Sequence, residues 1–498
     1  MRVDADGPGR GAFARSFDVC VIGAGPAGIT LARRLAALGH DVALMEGGGE
    51  DITAESQEIY EGEPIGRDYW PLDVPRLRFL GGSSGHWGGW CRQLDDVDFA
   101  AKSWNPMSGW PIDKAALDPY AREADGILDI PRAETDQTDA EAAAGFRQVF
   151  FRFSLPPTNF RDKYSPELDA SPRITLGLNA NLVDLDLSPD GAEVVAARFR
   201  GWDPADEGFA VKARAYVLAC GGIENPRLLL NFDRQAPGGI GNANDLVGRY
   251  FAEHPHFVLA EAIFRAPFDL PKLSFYSPTE AFMAENEILN FGMRIERMDE
   301  PFFRQFGTIA GDPACTDPFM LRLAERIADV SPGCAPGGDG RVSFDGLLRF
   351  AHEQALNPDS RVLLAPDSDR FGLRRGALDW RLGELDKRTQ HVALLAFGKM
   401  LADEDIGRIR IRDWVLREPF DWPGIADDEV GGKHHMGTTR MADDPKRGVV
   451  DRDCKVYGLA NLWIAGSSVF PTGGHANPTY TIIQLTLRLG DHLDATLG

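Results

Sequence analysis

The apolar residues of this chain gather in short runs that stop at glycine or at an acid. Val19-Cys20-Val21-Ile22 stops at Gly23, Val42-Ala43-Leu44-Met45 at Glu46, and Tyr216-Val217-Leu218-Ala219-Cys220 at Gly221. Runs this short, bounded by turn-forming residues, predict buried strands. Helical spacing lies between them. It predicts helices over 29–38, from 115 to about 128, over 227–231 after the opening Glu224-Asn225-Pro226, and from 481 to about 493. The last carries an apolar stripe of Ile482, Leu485, Leu489 and His492, which suits packing against a sheet. From about 255 to 431 the texture changes. Strand-like stretches at 257–260 and 360–364 are broken by Pro- and Gly-rich loops, of which 331–338 is the clearest. No internal repeat is present. The strands at 18–45 and within 174–217 are expected in one sheet, so the domain they build is discontinuous, and 461–465 predicts a further strand.

Composition narrows the class. A chain of 498 residues exceeds one ordinary core, and two domains are the default. No apolar run is long enough to cross a bilayer, which predicts a soluble protein. Residues 1–16 carry Arg2, Arg10 and Arg15 without an apolar stretch between them, and read as an unstructured leader. Cys20, Cys91, Cys220, Cys315, Cys334 and Cys454 show no metal-type spacing, so reduced thiols in a cytoplasmic protein are expected, with no metal site. A formal charge of −22 argues against nucleic acid and anionic membrane as partners. It would suit a cationic substrate, or it is simply a solvated acidic surface.

The first apolar run leads into the most specific motif, Gly23-Ala24-Gly25-Pro26-Ala27-Gly28. Gly23 permits a tight turn, Gly25 lets the backbone approach a pyrophosphate, and Gly28 lets the following helix pack close to the strand. The helix N-terminus offers free N–H groups to phosphate. Glu46, at the end of the second run and about twenty residues on, is placed to accept ribose hydroxyls. An unphosphorylated adenosine ribose follows, as in FAD or NAD. Further along, Gly81-Gly82-Ser83-Ser84-Gly85-His86-Trp87-Gly88-Gly89-Trp90 mixes glycines with aromatics, a combination that lets main chain approach a flat ligand and wall it in.

Near the end come His434-His435-Met436-Gly437-Thr438, Gly466-Ser467-Ser468, and His475-Ala476-Asn477-Pro478-Thr479. Together with the front fingerprint, the 81–89 loop and Val247-Gly248-Arg249-Tyr250-Phe251-Ala252-Glu253-His254-Pro255, these segments resemble the glucose-methanol-choline (GMC) family of FAD-dependent oxidoreductases. The Asn-Pro-Thr ending is similar to the branch of pyranose oxidases and sugar dehydrogenases. The resemblance implies an α/β (α+β overall) fold, with a discontinuous Rossmann-like FAD-binding domain and a β-sheet-based substrate domain. The expected boundaries give 17–130, 173–254 and 431–498 to the FAD-binding domain, 131–172 to a cap segment and 255–430 to the substrate domain. FAD contacts are expected from Gly23, Gly25, Gly28, Glu46, Gly81, Gly82, Ser83, His86, Trp87, Val183, Gly466, Asn477, Pro478 and Thr479. In pyranose oxidases a His-Trp in a similar loop binds the flavin covalently. His86 stands in the matching place but lacks the preceding threonine, which leaves a bond or close non-covalent contact open.

The resemblance also implies a catalytic pair over the flavin N5, and His434 with Asn477, 43 residues later, fits it. Hydride departure from a carbinol carbon requires loss of the hydroxyl proton, which a neutral His434 can accept while Asn477 holds the same hydroxyl. His435 would point to the opposite face of an extended strand. His475, two before Asn477, is the rival base or a pocket-lining residue. The expected activity is oxidation of a CH–OH group of a sugar, glycoside or polyol, with oxygen, a quinone or an electron-transfer partner as acceptor. Alternatives are oxidation of an aminosugar or other alcohol in a biosynthetic pathway, a non-redox FAD-containing lyase, and a redox-silent FAD-binding protein.

Overall fold

In the computed structural model, residues 1–131, 140–141, 144–154, 156–264, 274–297, 346–405 and 407–498 are described. The glycine-terminated runs lie side by side. Arg2–Asp4, Ile174–Leu178, Val42–Met45, Ser16–Ile22 and Phe209–Leu218 follow one another as parallel strands. The last of these forks: its C-terminal half pairs in parallel with Leu462–Ile464, while its N-terminal half pairs antiparallel with Val194–Arg200 and, through it, Asn181–Leu187. Strands buried on both faces need apolar side chains at successive positions, and Val19, Cys20, Val21 and Ile22 are all buried.

Four expectations are corrected. Residues 1–16 are ordered, because Val3 and Phe13 bury themselves and Arg2–Asp4 adds an edge strand beside Ile174–Leu178. The helix expected from 115 reduces to Ala121–Ile127 behind two 3₁₀ turns, Lys114–Ala116 and Asp118–Tyr120; Pro119 lacks the N–H that a continuous helix would use. The helix expected at 227–231 begins at Gly221 and contains Pro226. Pro226 leaves the carbonyl of Gly222 without its helical donor, and the Thr438 hydroxyl supplies one at 2.6 Å. The final helix runs Thr479–Leu497 and is buried well beyond the expected stripe, at Tyr480, Ile483 and Leu487 as well as Leu485 and Leu489, whereas Ile482 and His492 are only half-buried. It packs against Pro26–Ala37 and Ala121–Ile127 as well as near the sheet, so more than one face loses water.

A second, antiparallel sheet runs in the order Gly407–Ile411, Pro255–Phe264, Gly346–His352, Phe291–Arg297, Ser274–Pro278, Phe146–Phe150 and Ala140–Glu141. Part of the 131–172 segment therefore builds this sheet. Helix Glu384–Asp403 covers it through Phe397, against Phe146 and Tyr276, in a core separate from the first. The loop expected at 331–338, with Cys315 and Cys334, lies outside the described residues. Among those described, Cys20, Cys91, Cys220 and Cys454 are unpaired, no acid–His–Cys cluster could hold a metal, and no helix is long and apolar enough to cross a membrane.

Candidate active site

The fingerprint performs its glycine roles in two different ways. Gly23 has φ 100°, and a Cβ there would come 2.7 Å from the Ala219 carbonyl oxygen; one on Gly28 would come 1.8 Å from the Gly23 oxygen. A Cβ on Gly25 would meet nothing. The first two glycines are thus required by packing, and the third leaves room on the cavity side at the N-terminus of helix Pro26–Ala37. No side chain caps that helix. Glu46 sits beside it, its two oxygens accepting the backbone N–H groups of Ala24 and Gly48, both at 2.8 Å. Burial raises its pKa, against the opposing charge of Arg78 and those backbone bonds. The 81–89 loop is stitched onto the fingerprint: Gly81 N–H donates to the Ala24 carbonyl at 2.8 Å. A Cβ on Gly82 would sit 3.1 Å from Gly25 Cα.

The histidine segment is held by a bulge. Ala252 pairs antiparallel with Met436, and Pro255 with Gly431. Between these pairs two residues on one strand, Glu253 and His254, face four on the other, Gly432 to His435. The surplus is taken up in part by Lys433, whose φ is 61°. Glu253 grips the bulge with its carboxylate, accepting the His434 N–H on Oε1 and the His254 N–H on Oε2, the latter at 2.8 Å. The Tyr69 hydroxyl also donates to Glu253, at 2.9 Å, and lies 2.9 Å from Nε2 of His435. His435 is thereby spent on structure, packed against Phe251 and Tyr69.

His434 instead places Nδ1 2.9 Å from Nδ1 of His254. Its pKa is pushed well below the ordinary histidine range by burial and then by His254, His256, His435 and Lys433. The ring is neutral at physiological pH. His475 is 3% exposed, with Nε2 3.4 Å from Ser277 Oγ and 3.6 Å from an Asp95 oxygen.

One cavity of about 440 Å³ connects these features. Gly23, Gly25 and Glu46 line one end; Gly82, Ser83, His86, Trp87 and Gly466 line its course. His434, His475, Asn477, Pro478 and Thr479 also line it. Three expected contacts do not. Gly28 and Gly81 stand behind the lining, where they fit backbone to backbone, and at Val183 the strand instead presents its neighbours Asn181 and Leu182.

A family model described as GMC oxidoreductase matches residues 357–486. The chain is 25% identical to the 2-methyl-1,2-propanediol dehydrogenase of Mycolicibacterium austroafricanum, over 96% of this chain and 95% of that one. It is likewise 25% identical to the 6'''-hydroxyparomomycin C oxidase of Streptomyces lividus, over 98% and 94%. Relatives of the chain are named as sugar, polyol or aminoglycoside oxidases and dehydrogenases. Among solved structures, pyridoxine 4-oxidase from Mesorbium loti superposes with a TM-score of 0.57 at 18% identity, covering 95% of this chain and 98% of that one. Residues 357–486 are a GMC oxidoreductase domain. The chain is an FAD-dependent alcohol oxidoreductase.

The residues of this enzyme fit FAD. The space above Gly25 and the uncapped N-terminus of helix Pro26–Ala37 suit a pyrophosphate, and Glu46 retains acceptor sites for a ribose beside its backbone bonds. Asn477, Pro478 and Thr479 bring the N-terminus of a second helix to the cavity, also without a side-chain cap, and its positive end suits the electron-rich edge of an isoalloxazine. His86 donates Nδ1–H to the Ser83 carbonyl at 3.1 Å. Burial pushes its pKa down to about 4.

Sequence reading assigned no role to Tyr69, Glu253, His254 or His256. The signal was present in Glu253-His254-Pro255-His256, an acid and two histidines in four residues, but their partner lies some 180 residues away. On the second-sheet side, Trp90, Phe151, Phe275 and Phe350 line the cavity with His256, Arg294, Arg349, Glu429 and Lys433.

Proposed function

We propose that this enzyme oxidises a CH–OH carbon of an uncharged sugar, glycoside or polyol to the carbonyl, with His434 as base and Asn477 as its partner. The observation that carries the proposal is the continuity of one cavity from the fingerprint to His434 and Asn477. FAD, when bound, supplies the acceptor for the carbinol hydrogen as hydride. As the hydride leaves, the hydroxyl must shed its proton, and the neutral imidazole of His434 takes it. The Asn477 amide hydrogen-bonds the same oxygen and fixes the C–H in line. Trp90, Phe151 and Phe275 exclude water and receive the apolar face of a sugar ring, while polar side chains beside them receive its hydroxyl edge. His475, between Ser277 and Asp95, shapes this end rather than acting as base.

Beside His434 the described lining carries Arg294, Arg349 and Lys433 against Glu429, an excess of positive charge that disfavours a cationic substrate. The aminosugar alternative draws on the similarity to the hydroxyparomomycin C oxidase. Covalent attachment at His86 is supported by its Nδ1–H bond to Ser83, which leaves Nε2 with the lone pair that bonding to the flavin methyl carbon requires. Intact-mass measurement after acid denaturation tests it; FAD travelling with the chain supports a bond, and release refutes it.

The central test is anaerobic flavin reduction against sugars, polyols, glycosides and aminoglycosides, followed by air. Bleaching by an uncharged sugar or polyol is the expected outcome. Bleaching by aminoglycosides alone would favour the alternative, and no bleaching by any carbinol would refute the proposal. The rate of reoxidation on admitting air separates an oxidase from a dehydrogenase that uses a quinone or protein acceptor.

A further inference from the structure

We infer that His254 is a positioning residue that holds the proton of His434 on Nδ1, leaving Nε2 as the nitrogen that takes the substrate proton; this rests on the reading of His434 as the base. The inference follows from a chain of three groups. Nε2 of His254 lies 3.3 Å from the carbonyl oxygen of Gly473, which can only accept a hydrogen bond. That nitrogen therefore carries hydrogen. A neutral imidazole has one N–H, so Nδ1 of His254 is bare. The 2.9 Å contact between the two Nδ1 atoms then needs its hydrogen from His434, and a neutral His434 keeps its remaining lone pair on Nε2.

Burial supports the neutral state of both rings, with His254 pushed down to about 3, chiefly by desolvation and then by His256. The opposite arrangement would aim two lone pairs, Nε2 of His254 and the Gly473 oxygen, at each other. It would also put hydrogen on Nε2 of His434 and leave that atom unable to accept the substrate's proton. Free imidazole side chains favour this second tautomer, so the protein must supply a reason for the first. His254 does so without touching substrate: it is 1% exposed and is not among the residues lining the cavity. Its neighbour Glu253 fixes the backbone of both histidines, so ring and main chain of His434 are set from one dipeptide.

The test compares His254→Leu, which removes the acceptor, with His254→Asn, whose side-chain oxygen can stand in for Nδ1. Stopped-flow flavin reduction should fall about 10- to 100-fold in the leucine variant, by analogy with loss of the hydrogen-bond partner of a metal-bound histidine. Substrate Kd should change less than about threefold, and the asparagine variant should recover most of the rate. Equal losses in both variants, or no loss in either, overturn the inference. Should the leucine variant fail to retain FAD, His254→Gln replaces it, because its longer amide reaches Gly473 but overshoots the δ position. It must then show the same loss, and a wild-type rate overturns the inference. His434→Ala is measured alongside: if it reduces flavin normally, the base assignment has failed, whereas a large loss there with an unaffected His254→Leu refutes only the role of His254.

Discussion

At the scale of single residues, the histidines of this enzyme differ less by sequence context than by what their ring nitrogens meet. His434 and His435 are adjacent, yet one pairs with another histidine at the cavity and the other is tied to Tyr69. His434→Ala should keep FAD and lose about 10² to 10⁴ in the rate of flavin reduction, while Asn477→Ala loses less because the base remains. The pH dependence follows from the direction of the shift. A base works unprotonated, so the rate rises with pH through the pKa of His434, and burial with four neighbouring cationic or titratable groups, His254, His256, His435 and Lys433, moves that pKa below the ordinary 6.5. The rise is therefore expected on the acid side, with a plateau from about pH 6.5 upward. Glu253, which accepts the His434 N–H, is pushed up to about 7 by burial and is the group to suspect if a step near neutrality occurs instead. Stopped-flow reduction from pH 5 to 8 in wild type and Glu253→Gln distinguishes the two, since only the Glu253 step vanishes in the variant.

Elements explain what single residues cannot. The fingerprint glycines look equivalent along the chain, but the fold separates them by what surrounds each Cβ. Gly28→Ala should destabilise the apoprotein as well as the holoenzyme, since its methyl would overlap the Gly23 carbonyl. Gly25→Ala should leave apoprotein stability near wild type while weakening FAD binding, because its methyl enters only the space the pyrophosphate needs. Thermal melts with and without FAD read both. Thr438, inside a motif associated with catalysis, closes the gap that Pro226 opens in helix Gly221–Asn231. Thr438→Val removes that donor and leaves a buried carbonyl unsatisfied, at a cost of about 1–3 kcal/mol in chemical denaturation, with the flavin-reduction rate largely preserved.

At the scale of the molecule, two sheets with separate cores meet along one cavity, and that junction buries ionisable groups in unusual number. Six of the ten histidines, His86, His254, His352, His434, His435 and His475, have lowered pKa values, each chiefly through burial. Each stays neutral in the fold while its unfolded counterpart takes a proton below about 6.5, so each loses stability as pH falls through that value. Asp98, Glu253 and Asp386 are raised to about 7 by burial, and they lose stability in the opposite direction, as pH rises from about 4 through 7. Burial raises Glu46 and Asp428 as well, so six histidines oppose five carboxyls between pH 4.5 and 6.5. The melting temperature should therefore climb slightly over that interval and level or decline above it. A falling profile from pH 4.5 to 6.5 would contradict the burial of these histidines.

Much of this was legible along the chain because it is local. A strand that stops at a turn, glycines at fixed spacing and an acid at the next strand end all depend on neighbours within some thirty residues, and Gly23, Gly25 and Glu46 line the cavity. The terminal His434 and Asn477 were legible through family resemblance. Contacts between distant segments were not. The edge strand at Arg2–Asp4 becomes visible only beside Ile174–Leu178, and Val183 differs from Asn181 and Leu182 only by which part of the strand reaches the cavity. The same holds for His254, whose part depends on a bulge in which four residues face two and on a carbonyl at Gly473 more than two hundred residues away. Sequence alone determined the chemistry available to this enzyme. Tertiary structure decided what each histidine nitrogen meets, because those hydrogen-bond partners come together only when the chain is folded.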